Sequence, residues 1–208
     1  MSATIFRGAQ LIDPDHDDTG VGDLCVVGGV IANEAPDDAV VIDCAGLCLA
    51  PGIIDVGVKV SEPGERHKES YRTAGRAAAA GGVTTMVTRP DTDPAIDTPE
   101  VLEFVTRRAR ETAPVRVAHM AALTKGRDGR EMVEVGFLSD AGAVAFTDCD
   151  RVITDTKVFA RALTYAQSLD ALVIAHPQDP GLSRGAAATS GKFASLRGLP
   201  AVSPMAER

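Results

Sequence analysis

The sequence predicts an α/β protein: a small β module over residues 1–50, followed over residues 51–208 by an incomplete barrel of about five βα units. Two observations carry this. Residues up to about 50 read as short strands punctuated by turn residues, and from Pro51 onward apolar runs alternate with Ala- and Arg-rich helical stretches, the signature of a parallel sheet built from repeated βα units. A third observation limits it. Eight such units usually take about 250 residues, whereas 158 follow Ala50, so a closed eight-unit barrel is not spanned and a doubly wound sheet also fits the pattern.

In the first module, strands are expected over residues 4–7, 10–12, 23–27, 30–33 and 39–43, with turn chemistry over 15–22 and 36–38. In the second, strands are expected over 52–58, 83–88, 115–119, 143–146 and 172–176. The last of these, Ala171-Leu172-Val173-Ile174-Ala175, is continuously apolar, as expected when both faces of a parallel sheet are covered. Helices are expected over 66–80, 99–111, 130–138 and 156–168, with another opening near Pro200. Gly81-Gly82 follows an Ala-rich helix and precedes a strand. It reads as a helix stop, with no lysine behind it to make a phosphate loop.

Composition narrows the function. Twenty-nine acidic residues against 21 basic ones give a net charge of −8, which argues against nucleic acid, whose binders gather Lys and Arg to displace counterions. No run approaches 18 apolar residues and the N-terminus lacks the basic and apolar regions of a signal peptide, so no membrane partner and a cytoplasmic location are expected. Cys25, Cys44, Cys48 and Cys149 lie in apolar, strand-like contexts and read as reduced thiols.

Several ordered motifs carry a resemblance. Val41-Ile42-Asp43-Cys44-Ala45-Gly46-Leu47, followed by Leu49-Ala50-Pro51-Gly52-Ile53-Ile54-Asp55, resembles the barrel entry of the amidohydrolase superfamily. Glu62-Pro63-Gly64-Glu65-Arg66-His67-Lys68-Glu69, Ala77 to Thr85, Arg89-Pro90-Asp91-Thr92-Asp93-Pro94, Asp97-Thr98-Pro99-Glu100, Gly142 to Asp148 and Ala175-His176 narrow it to the dihydroorotases. The resemblance implies a (β/α)8 TIM barrel of the amidohydrolase type, present here as its N-terminal half, with a metal site at the carboxyl ends of the strands. It also implies that the β module is part of a composite sandwich. Active relatives act on the cyclic amide of dihydroorotate in pyrimidine biosynthesis.

Amide hydrolysis at neutral pH needs an activated water, and zinc supplies it by lowering the water's pKa to about 7. In the family the first barrel strand ends Asp-x-His-x-His-x-Arg; residues two apart on a strand share a face. Here the stretch reads Asp55-Val56-Gly57-Val58-Lys59-Val60-Ser61. Gly57 offers no ligand atom, and the Lys59 ammonium has no lone pair. By the resemblance, Ser61 replaces the arginine that holds the substrate carboxylate, a fork that a hydroxyl cannot reproduce, and Asp91 replaces an asparagine that contacts substrate. Asp148 and His176 match surviving metal-ligand positions at the ends of the fourth and fifth strands. Two ligands fall short of the three protein groups of a catalytic zinc site, so no cofactor is expected, and no residue is assigned a catalytic role. One sharper expectation is that Lys59 replaces the metal's charge by pairing with Asp148; the plainer one leaves Lys59 in solvent.

The other histidines have plain readings: His119 as packing, His16 and His67 as solvated, and His176 itself as a hydrogen-bonded core residue. Cys149, flanked by Asp148 and Asp150, makes a poor nucleophile because carboxylates disfavour the thiolate. Lys125 reads as part of a solvated loop. Three functions are compatible with these features. The first is a non-catalytic dihydroorotase-like subunit, a scaffold in a hetero-oligomer with aspartate carbamoyltransferase, as degenerate homologues in some bacteria are. The second is an active amidohydrolase on a cyclic amide, with zinc held by Asp148, His176 and further ligands. The third is a fragment whose open barrel edge drives homo-oligomer formation.

Overall fold

The computed structural model describes residues 2–15 and 20–207; His16 lies outside them. The chain divides into two compact units, Met1–Gly52 and Ile53–Arg208.

In the first unit, β1 (Ala3–Leu11), β2 (Val21–Val27), β3 (Val30–Ala32), β4 (Val40–Asp43) and β5 (Cys48–Leu49) form one sheet in the order β3-β2-β1-β4, with β5 also on β1. The two strands expected over 4–7 and 10–12 are one. Its register against β2 shifts between Phe6 and Ala9, and Gly8 at φ +69° takes up the irregularity that separated them in the sequence pattern.

The second unit alternates β6 (Ile53–Val58), α1 (Tyr71–Ala80), β7 (Val83–Thr88), α2 (Pro99–Thr112), β8 (Arg116–Ala121), α3 (Val135–Asp140), β9 (Ala143–Phe146) and α4 (Thr156–Ser168). The four strands are parallel in sequential order, which aligns their carboxyl ends along one rim. Met86, Leu102, Val105, Leu123, Leu138 and Phe146 are among the fully buried side chains between sheet and helices. Beyond α4 come α5 (Pro180–Ser183), β10 (Ala188–Thr189), α6 (Lys192–Arg197) and β11 (Ala201–Val202), with β10 and β11 paired in parallel.

Four expectations are corrected here. The helix expected from Arg66 starts at Tyr71, because Ser70 caps it: the Ser70 hydroxyl accepts from Thr73 N while Thr73 Oγ1 accepts from Ser70 N. The helix expected over 130–138 begins at Val135, because Met132 is held in a bridge to Thr124 and the chain around it follows the loop rather than a helix. The fifth strand expected over 172–176 reduces to a single bridge between Val173 and Phe146; Pro177, which has no N–H, comes directly after it and cannot extend the ladder. The helix expected near Pro200 is instead β11 and a short 3-10 turn, Pro204–Glu207, while α6 forms just before it.

Burial on both faces also fails at the first strand. Among the described residues β6 pairs with β7 alone, and Ile53, Ile54 and Val56 are exposed. Among the described residues, no helix is long and apolar enough to cross a membrane.

Candidate functional site at the strand ends

The rim is built by the segments that leave the carboxyl ends of β6, β7, β8 and β9. Asp148, two residues past β9, is buried, and both its oxygens are occupied by protein donors. Oδ1 accepts from the backbone N–H groups of Leu123 and Thr124, each at 3.0 Å, and Oδ2 accepts from the Thr124 hydroxyl at 2.5 Å. Thr124 Oγ1 in turn accepts from Gly129 N at 2.9 Å. Asp148 thus fastens the loop after β8, a role that its place in the sequence does not announce.

Lys59 does not pair with Asp148. Its ammonium lies 3.2 Å from Asp91 Oδ2, and Arg89 Nη2 lies 2.8 Å from the same oxygen. The reason is position: Arg89 and Asp91 come directly after β7, the strand hydrogen-bonded to β6, and Arg89 N donates to Val58 O at 2.9 Å. Asp91, which replaces the family's asparagine, is therefore flanked by two cations. The plainer expectation for Lys59 is corrected too, since its side chain is half exposed yet ion-paired.

Arg89 is the residue that sequence reasoning missed. It belongs to one of the family-like motifs, but nothing in the pattern attached a role to it. Its guanidinium is also 3.7 Å from Asp150, which Arg127 approaches at 3.2 Å. Burial works against the Arg89 charge, but Asp91, Cys149 and Asp150 outweigh it and hold the group above its ordinary value. An arginine two residues from an aspartate at a strand end was the signal that could have found it. Cys149 stands in left-handed backbone at φ +59°. Burial, with Asp91 beside it, raises its thiol above the ordinary value against the pull of Arg89 and Arg127, so a thiolate is disfavoured there.

His176 is exposed, its Nε2 3.3 Å from Gln178 Oε1; it is not the core histidine of the plain reading. It lines two cavities. One, of about 160 Å³, also contacts Asp148, Arg151, Phe159 and Leu123. The other, of about 440 Å³, is lined by Val56, Gly57, Arg89, Thr147 and Cys149 among others. Ser61, Lys59 and Asp91 line a third, separate hollow of about 150 Å³.

His119 is buried, with Nδ1 2.7 Å from the Thr88 hydroxyl and its ring edge-on to Tyr71 at 5.6 Å. Burial pushes it down from 6.5 to about 4. His67 is exposed, and Lys125 is paired with Glu131. Among the described residues no three His, Cys, Asp or Glu side chains converge to hold a metal ion. A zinc ion does not fit this donor set: position 57 has no side chain, the Lys59 amine is held by Asp91, and both Asp148 oxygens face protein donors.

Comparison with known proteins defines the class first. An L-hydantoinase (dihydropyrimidinase) from Arthrobacter aurescens superposes with a TM-score of 0.74 at 18% identity, over 88% of this chain and 42% of its own. A crystal structure of a dihydroorotase gives 0.58 at 14% identity, over 85% and 51%. The fold is thus a partial barrel of the amidohydrolase type. A family model described as dihydro-orotase-like matches residues 46–206, and the chain belongs to that family. It is 38% identical over 212 residues to a dihydroorotase of Syntrophobacter fumaroxidans, covering 98% of this chain and 48% of the relative. It is 41% identical over 205 residues to a dihydroorotase-like protein of Pseudomonas putida, covering 96% and 48%. The chain spans about half the length of these relatives.

Proposed function

We propose that this chain is a non-catalytic member of the dihydroorotase-like family, serving pyrimidine biosynthesis as a scaffold subunit for aspartate carbamoyltransferase rather than as a hydrolase. The observation that carries the reading is the fate of the metal positions. Gly57 and Lys59 stand where the family resemblance puts two imidazoles, and the Lys59 amine and both Asp148 oxygens are engaged within the protein. On this reading a water there would lack the Lewis acid that lowers its pKa. Ser61 and Asp91 alter the substrate-binding positions as well, so loss of binding accompanies loss of chemistry.

The scaffold role rests on the family resemblance to degenerate homologues. It is tested by co-expressing the chain with aspartate carbamoyltransferase catalytic chains: a stable hetero-oligomer, inert toward dihydroorotate and free of stoichiometric zinc, is the expected result. Failure to associate sinks the scaffold role, and dihydroorotate turnover sinks the inactivity.

One observation favours a second reading. Asp148 and His176 line a single cavity, as they would in an amidohydrolase whose remaining zinc ligands come from elsewhere. Stoichiometric zinc or manganese in purified protein, removed by chelator together with hydrolysis of a cyclic amide, would establish it.

A further inference from the structure

A groove of about 490 Å³ lies between the segment that follows β6 and one side of α2. Glu62 and Arg66 stand on one wall; Phe104, Arg107, Arg108 and Glu111 stand on the other, at the three- and four-residue spacings that place side chains on one helix face. Pro63 is the only residue that this groove shares with the three hollows at the strand ends, so it is a separate site.

Glu62 organises it. Its side chain is only 6% exposed, and its Oε1 accepts from Arg108 Nε at 2.8 Å and lies 3.3 Å from Arg66 Nε. Its Oε2 accepts from Tyr71 N, at the start of α1, at 3.0 Å. Two guanidiniums are thus tethered to one buried carboxylate through Nε, and among the described residues their terminal nitrogens make no hydrogen bond. Arg107 makes no ion pair or side-chain hydrogen bond among the described residues. Three cations face two carboxylates, Glu62 and Glu111, and the positive end of α1 offsets part of the Glu62 charge as well. In a chain of net charge −8 this is a local surplus of positive charge. Phe104, 44% exposed, sets an aromatic face one helical turn before the arginines.

We propose that this groove binds a small phosphate monoester carrying a flat ring, its phosphate on the Arg66, Arg107 and Arg108 guanidiniums and its ring against Phe104. Three guanidinium forks offer more donors than the two oxygens of a carboxylate can accept, whereas a phosphate monoester presents three terminal oxygens and close to two negative charges. A guanidinium tethered through Nε keeps its outer nitrogens in a fixed plane, the geometry that pairs with phosphate oxygens. The volume falls in the range of small-ligand sites, and an exposed aromatic face favours an offset-stacked ring. The inference goes beyond the scaffold reading and is independent of whether the rim holds a metal, since no residue of the altered metal motif lines the groove.

The test is calorimetric titration of the whole chain with phenyl phosphate, inorganic phosphate and benzyl alcohol above about pH 7, where a phosphate monoester is mostly a dianion. Saturable binding of phenyl phosphate, several-fold tighter than that of inorganic phosphate, with none of benzyl alcohol, is expected. Arg107→Gln should weaken phenyl phosphate about tenfold, the loss of one charge-assisted pair, and should leave the urea midpoint unchanged because that side chain has no protein partner to strand. Phe104→Ala should bring phenyl phosphate down to the level of inorganic phosphate, and Phe104→Tyr should keep the difference. No saturable binding, benzyl alcohol binding as well as the ester, or phenyl phosphate affinity unchanged in Arg107→Gln overturns the proposal. Inorganic phosphate as tight as phenyl phosphate overturns it too, leaving an adventitious anion contact only. A phosphotyrosine flanked by alanines, binding much more tightly than phenyl phosphate, would assign the groove to a protein segment and overturn the small-molecule site.

Discussion

The Lys59 ammonium and the Arg89 guanidinium meet on one oxygen of Asp91, at 3.2 and 2.8 Å, and the Asp91 side chain is only 3% exposed. The buried carboxylate is the keystone of the arrangement and the half-exposed lysine its minor partner. Asp91→Asn should therefore destabilise the second unit by about 2 kcal/mol, a value between that of a surface pair and that of a fully buried one broken on one side. Lys59→Met should cost under about 1 kcal/mol. Urea unfolding of the two single variants and the double variant checks this. A Lys59→Met loss as large as that of Asp91→Asn would show that the lysine, not the arginine, neutralises the buried charge.

Asp148 yields a second expectation. Removing its charge while keeping its shape, by Asp148→Asn, replaces one acceptor oxygen with a donor that faces backbone N–H or hydroxyl groups. With charged hydrogen bonds worth about 1.5–3 kcal/mol each and the site buried, a loss of about 3 kcal/mol is expected. Amide exchange should quicken at Leu123 and Thr124 before it does in β7. If the variant is as stable as the parent, Asp148 is not the fastener of that loop.

Much of this was legible in the sequence, and the illegible part has a physical cause. β7, β9, α2 and α4 announced themselves through apolar runs alternating with helical stretches, and in the structure Pro99 at N1 starts α2 while the Asp155 carboxylate, accepting from Lys157 N and Val158 N, starts α4. The identities at 57, 59, 61 and 91 were readable because they depart from a motif. Which cation meets which carboxylate was not, since Lys59 can reach either strand end and the choice depends on how Arg89 is carried in on the β7 side of the rim. The strand expected at 172–176 failed for a related reason: apolar composition marks a segment that can pair and does not supply the ladder.

His119 gives a pH dependence with a definite sign. Its folded value, about 4, lies below the ordinary 6.5 because burial disfavours the cation. The neutral ring's contribution is fully present above pH 6.5 and is lost as pH falls toward 4, since the unfolded chain then binds a proton that the folded chain refuses. The interval corresponds to up to about 3 kcal/mol. Parent protein should lose that much more stability than His119→Gln between about pH 7 and about pH 4, measured by urea midpoints at constant ionic strength. Parallel pH profiles would place the titration elsewhere.

Reinstating the imidazole pair separates a missing ligand from a rebuilt rim. Gly57→His combined with Lys59→His restores the residue types that the family resemblance expects, but Gly57 sits at φ +94°, a conformation that a side chain strains by roughly 1–2 kcal/mol. The double variant should therefore be less stable than the parent without metal and recover part of that loss with zinc, because binding to the folded state alone adds stability. Asp148 would still face Leu123, Thr124 and the Thr124 hydroxyl, and removing Lys59 leaves Arg89 alone on Asp91, so zinc uptake should be substoichiometric by elemental analysis at micromolar metal. Ser61 and Asp91 also remain, and neither recreates the charged fork for a substrate carboxylate. Dihydroorotate should still not turn over. Stoichiometric zinc with measurable hydrolysis in the double variant would mean that two side chains alone separate this rim from an enzyme, and that the changes at Ser61 and Asp91 are incidental.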